Sequence, residues 1–242
     1  MQVMMRQLQL WDAGDEHGWA VRHSPRARRL SVRVFRHGGV EIVVPPRTSA
    51  ARVSAFVSEH REWIERQRSR SAPPMQWPLP PAVLILSALD EKWPCILGTG
   101  AGRVRVREEG AQLLLDGDLS ERERLREWLR RWLLSRARLR FQEPLAALAA
   151  KIGVVPQQMQ VRCQRTRWGS CSRAGTISLN VCLLFQRPEV LRYLLVHELS
   201  HLKHMNHSAR FWAEVERHEP QWKALDRELL QGWRRVPSWI FK

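Results

Sequence analysis

The 242-residue sequence is short of several things, and each shortage excludes a class of protein. Four cysteines, Cys95, Cys163, Cys171 and Cys182, form no C-x-x-C pair. A disulfide framework is therefore not expected; reduced thiols and a cytoplasmic setting are. No apolar run approaches the ~18 residues of a membrane span, so no membrane partner is expected. The opening MQVMMRQLQLWD has no apolar core of the secretory kind. No repeat of 20–50 residues is visible, and no Walker-type glycine-rich phosphate loop. Tyrosine occurs once, at Tyr193, and lysine five times against 35 arginines.

What is present is basic and apolar at once. Lys and Arg number 40 against 24 Asp and Glu, a formal charge of +16, while 44% of residues are hydrophobic. That hydrophobic share argues against disorder. The charge suggests an anionic partner, although GC-rich coding also favours arginine. Positive and negative residues number 17 and 12 over 1–117, and 23 and 12 over 118–242.

Periodicity predicts an α+β chain. Leu30, Val32 and Val34, then Val40, Ile42 and Val44, alternate on either side of Gly38-Gly39 as in a hairpin. Thr48 is placed to cap a helix over 49–68. The five prolines in Ser71–Pro81 mark a linker. Strands are predicted over 83–86, 93–97, 104–107 and 113–115. Ser120 and Glu123 form a capping-box pattern before an arginine-rich helix to about residue 142. Pro144 is predicted to open a separate helix ending near Gly153. Strands over 161–164 and 176–180 flank the loop RTRWGSCSRAG and are expected to pair as a hairpin, and helices follow over 188–205, 208–218 and 220–230. The expected division is a β-rich N-terminal region over 1–119, with its one helix, and a catalytic domain over 120–242.

The helix from Pro188 contains His197-Glu198-Leu199-Ser200-His201, an H-E-x-x-H. Residues four apart share a helix face, so two imidazoles there converge on one zinc ion. Glu198 lies about 100° round the helix, where it can take a proton from zinc-bound water as general base without being a ligand. Chance would produce this pattern about 0.025 times in such a composition, and the apolar helix around it adds weight. A third ligand is needed. His207 stands ten residues after His197, beyond Asn206, a residue suited to a left-handed turn. His204, Glu214, Glu216 and Glu219 are the alternatives. Trp168 is open to two readings, a rim residue for an extended peptide or core beneath the zinc helix. Tyr193, one turn before His197, is open to an oxyanion role or a core one. Arg165 and Arg167 are further candidates to face a carbonyl or a phosphate.

The runs TRWGSCSRAGTISLN and PEVLRYLLVHELSHLKHMNHSARFW, with RARRLSVRVFRHGGVEIVVPPRTSAARVSAFVSEHREWI upstream, resemble the YgjP-like family of zincin-type metal-dependent hydrolases. The resemblance covers roughly residues 22–232. It implies a zincin-like domain whose active helix packs on a small sheet. It implies His197, His201 and His207 as zinc ligands and Glu198 as base, acting on a peptide or protein substrate. The related SprT-like and WLM proteases act on DNA-associated proteins, so such a substrate is a further expectation. Arg167, Trp168 and Ser170 are the candidate substrate-binding residues. Two other functions are consistent with the residues: a nucleoside triphosphate pyrophosphohydrolase on the same metal, taking a nucleotide, and a basic nucleic-acid-binding module with a structural zinc.

Overall fold

The computed structural model describes residues 19–35, 39–70, 78–100 and 102–241. Gly38 of the expected turn and residues 71–77 of the proline-rich stretch lie outside them. The chain divides into two compact units, residues 1–73 and 74–242.

In the first unit, β1 (Ala20–His23), β2 (Ser31–Val34) and β3 (Val40–Val44) precede α1 (Ala50–Arg70). The sheet order is β1-β3-β2, with β1 parallel and β2 antiparallel to β3. The central strand β3 is buried along its length, and its one charge, Glu41, meets Arg22 at 3.1 Å. Ile42 and Val44 pack with Val53 and Val57 of α1, four residues apart on one helix face. Ser49, not Thr48, receives the first-turn amide: Arg52 N donates to Ser49 Oγ at 3.4 Å, while the Thr48 hydroxyl donates to Pro45 O.

The second unit is mixed α and β. Strands β4 (Val83–Leu86), β5 (Glu91–Leu97), β6 (Arg105–Glu109) and β7 (Gln112–Asp116) form a sheet of order β4-β5-β7-β6. Helix α2 (Arg122–Ile152) follows, then β8 (Gln158–Arg162), β9 (Gly169–Cys171) and β10 (Thr176–Asn180), then α3 (Pro188–Ser200), α4 (Ala209–His218) and α5 (Trp222–Gln231). Residues 119 and 120, the expected division, lie within this second unit. Leu113 and Leu115 of β7, Leu125 and Leu129 of α2, and Leu195 of α3 belong to one continuous core.

Three local expectations are corrected. Helix α2 runs unbroken through Pro144. Phe141 and Leu145 are buried on either side of that proline, and packing on both sides outweighs one missing amide hydrogen bond. Ser120 does not form the capping box; its hydroxyl donates to Asp118 at 2.5 Å. The strands around the RTRWGSCSRAG loop do not form a hairpin. β8 runs parallel to β10, and the loop supplies β9 as an antiparallel edge strand, in the order β8-β10-β9. The α+β class holds, and among the described residues no helix is long and apolar enough to cross a membrane.

Candidate metal centre

Helix α3 is set by Pro188 at its first turn and a nearly all-buried apolar surface, with Val190, Leu194, Leu195, Val196 and Leu199 inside. That burial carries His197 and Glu198 into the interior. The helix ends at Ser200, with His201 at its C-cap, earlier than the sequence suggested. Asn206 is not in the left-handed region; the positive-φ non-glycine residues described are Arg47 and Asp90. The fold-back is made by the turns after His201 instead, and Ser208 then precedes α4.

This route brings His207 over the first two histidines. One ring nitrogen from each of His197, His201 and His207 lies within 4.8 Å of the others. The two Nε2 atoms of His197 and His207 face each other at 3.1 Å. His201 Nδ1 donates to the backbone oxygen of His204 at 3.1 Å, which leaves Nε2 as its lone-pair nitrogen. Phe211 floors the cluster, with its ring centroid 4.9, 4.5 and 4.8 Å from those of His197, His201 and His207. Burial, and then the neighbouring imidazoles, push His197 down to about 3; burial likewise lowers His201. Neutral imidazoles are the form that binds a metal.

The other third-ligand candidates lie elsewhere. His204 contributes its backbone oxygen, as above. Glu214 is held by Lys203 at 2.7 Å and by His218 at 3.2 Å. Glu219 pairs with Arg192, and Glu216 is exposed.

Glu198 is 4% exposed, and its Oε2 has no hydrogen-bond partner. Burial raises its carboxyl to about 8, with Arg167 pulling weakly the other way. The edge strand β9 passes directly over it: a Cβ added to Gly169 would sit 2.5 Å from Glu198 Oε1. Ser170 is half-buried on the same strand, and Arg167 is exposed just before it. Trp168 behaves differently. It is buried in the core and stacks on Trp233 with ring centroids 4.1 Å apart. Arg165 donates to the backbone oxygen of Phe241. All four cysteines are unpaired, and burial, then Glu198, pushes the Cys171 thiol up to about 11.

Tyr193 is fully buried; its hydroxyl donates to Asp226 Oδ1 at 2.8 Å and lies 3.4 Å from His197 Nδ1. Sequence reasoning placed Tyr193 one turn from His197 but had no route to Asp226, which comes from α5. Phe211 was legible only as an apolar residue of α4.

The donor set fits a zinc ion: three converging imidazoles and a buried carboxylate beside them with one oxygen unsatisfied. A family model described as YgjP-like, metallopeptidase domain, matches residues 28–231. Among solved structures, the chain is similar to the metallopeptidase zymogen abylysin of Pyrococcus abyssi. Identity is 27% over 40% of this chain and 97% of that one, with a TM-score of 0.36. It is also similar to the metallopeptidase zymogen jannalysin of Methanocaldococcus jannaschii. Identity there is 18% over 37% of this chain and 93% of that one, with a TM-score of 0.34. No curated protein gives a significant match. With its family match extending over most of its length, the chain belongs to the YgjP-like metallopeptidase family and is a metal-dependent hydrolase.

Proposed function

We propose that the protein is a zinc peptidase in which His197, His201 and His207 hold the metal and Glu198 is the general base. The observation that carries this reading is the buried Glu198 carboxylate, unsatisfied at Oε2, one residue from a three-imidazole cluster. Zinc, when bound, supplies Lewis acidity toward a peptide carbonyl and toward water. The rest falls to the chain. His197 and His201 are kept neutral by burial and by the neighbouring imidazoles, and both have their Nδ1 engaged or approached by oxygen, which points Nε2 inward. Glu198 accepts the proton of the attacking water at Oε2 and returns it to the departing nitrogen. Burial gives its carboxylate the high proton affinity that base chemistry toward water requires.

Strand β9 is at the sheet edge and lies against Glu198. Its free backbone edge suits an extended peptide added as a further strand. Ser170 and Arg167 would flank that peptide, Arg167 as an exposed cation and Ser170 as a half-buried hydroxyl.

The test is metal analysis of purified protein with peptide turnover, beside Glu198→Gln. The expected result is about one zinc per chain in both proteins, and loss of at least about 100-fold in kcat in the variant. Retained turnover in Glu198→Gln, or release of pyrophosphate from nucleotides with peptides left intact, overturns the proposal.

A further inference from the structure

The first unit carries a second feature that the metal centre does not use. A groove of about 530 Å³ lies between the β3–α1 turn and the first two turns of α1. Leu30, Pro45, Pro46 and Phe56 contribute apolar surface, and Arg28, Arg29, Arg47 and Arg52 line it with cations. All four arginines are exposed, and among the described residues none of the four has a carboxylate within ion-pairing distance. The described acids of the unit are placed otherwise. Glu41 pairs with Arg22, Glu62 with Arg66 and Glu65 with Arg68. Glu59 alone shares the groove lining with the four cations. The first turn of α1 has no acidic residue, so its amide dipoles add to the positive field.

Arg47 is held at φ 61°, in the left-handed region where glycine or asparagine is at ease and a long side chain is not. The Thr48 hydroxyl closes this turn onto Pro45 O at 3.0 Å. Local backbone cost at an exposed cation suggests a use for the guanidinium that projects there.

The groove continues into a line of rings. Phe56, His60 and Trp63 follow Arg52 at helical spacing and fall within about 80° of one another around α1. Phe56 and His60 are half-buried and stacked, with centroids 4.2 Å apart, and Trp63 is 41% exposed. The Phe56 and His60 rings thus pack face to face, and Trp63 follows His60 by about 4.5 Å along the helix axis. The buried face of α1, Val53, Val57 and Ile64, lies beside this stripe and is separate from it.

We propose that this surface binds single-stranded nucleic acid, with phosphates on Arg28, Arg29, Arg47 and Arg52 and bases on the Phe56–His60–Trp63 stripe. Guanidinium forks match phosphate oxygens, and ring faces stack on any base, so the pairing of the two gives sequence-tolerant binding to unpaired strands. An acidic peptide would use the arginines but leave the ring stripe idle. An anionic bilayer would want a broad apolar face, and Trp63 is the one large exposed hydrophobe described in this unit.

The experiment is fluorescence anisotropy of a labelled oligothymidylate with the full-length protein across a salt series. Arg28→Gln, Arg29→Gln, Arg47→Gln and Arg52→Gln are combined in one variant. A matched variant carries Arg124→Gln, Arg131→Gln, Arg138→Gln and Arg173→Gln, so that both lose the same charge. The groove variant is expected to lose at least about 100-fold in affinity at low salt, with its salt slope reduced by about 0.7 for each phosphate contact removed. The matched variant should stay within about threefold of the parent. Trp63→Ala should weaken binding about tenfold, as loss of one stacked base does. Unchanged thermal melting in each variant shows that the fold is intact. Equal losses in both quadruple variants overturn the site. So does a parent that binds duplex as tightly as single strand, or displacement of the oligonucleotide by polyglutamate or phosphatidylserine vesicles at equal charge. Zinc content is expected to be the same in all variants, which separates this result from the metal centre.

Discussion

Gly169→Ala is a minimal test of how strand β9 and Glu198 are fitted together. The new methyl carbon would lie 2.5 Å from Oε1, 2.9 Å from Cδ and 3.0 Å from Cγ of Glu198. Close carbon–oxygen contacts run at about 3.3–3.6 Å, so something must move by about 1 Å. Gly169 is not at positive φ, so alanine brings no backbone penalty of its own, and the steric term stands alone. Glu198 is buried and cannot swing into solvent, and β9 is paired to β10 through Leu179, Ser178 and Ile177. The carboxylate is the softer of the two. A displacement of about 1 Å in a reacting group costs about 100-fold, which is about 2.7 kcal/mol in the barrier. The assay is kcat and KM on a fluorogenic peptide, with zinc content and melting temperature measured in parallel. The expected pattern is a kcat loss of about 100-fold with zinc retained and a stability cost within the ~1–3 kcal/mol of an overpacked site. A kcat within about threefold of the parent refutes the reasoning, and so does a loss of zinc that tracks the loss of activity.

Tyr193→Phe keeps the packing but removes the hydroxyl that bridges Asp226 to His197 Nδ1; it should weaken zinc binding by about 10–100-fold, read by competition with a chelating dye. An unchanged zinc affinity would leave Tyr193 as packing alone. Glu214 titrates below the ordinary carboxylate range: burial raises it, but Lys203, His218 and Arg217 together outweigh burial. The folded value is depressed, so the stabilisation is present above the unfolded pKa of about 4.3 and is lost as pH falls through the lower folded value. Glu214→Ala should cost about 2 kcal/mol at pH 7, less than a fully buried pair because Lys203 is one-third exposed. Its melting temperature should converge on the parent's below about pH 4, read by circular dichroism.

Much of the candidate metal centre was legible because helical geometry is local. His197 and His201 share a face by spacing alone, and Glu198 follows from being the next residue. The β2–β3 pairing and the extent of α1 were likewise carried by period and by glycine and proline signals. Pro144 shows the limit of such signals. A proline inside a helical pattern reads as a break, yet Phe141 and Leu145 anchor the same helix on both sides of it. The order β8-β10-β9 was hidden for a similar reason. Short apolar runs announce strands but not which neighbour they pair with, and the parallel β8–β10 ladder is a long-range choice.

The sequence by itself determined that two imidazoles and a carboxylate share one helix, with a third imidazole within reach. It left open which residue completes the set, because that depends on how the chain turns after His201. Tertiary structure decided that His207, and neither His204 nor a downstream glutamate, faces His197. Tertiary structure also decided that Trp168 is core, that Asp226 reaches Tyr193 across 33 residues, and that Gly169 leaves room for the Glu198 carboxylate. The physical reason is the same in each case. Spacing along one helix fixes direction, whereas burial, desolvation and contact between elements exist only once the elements are packed.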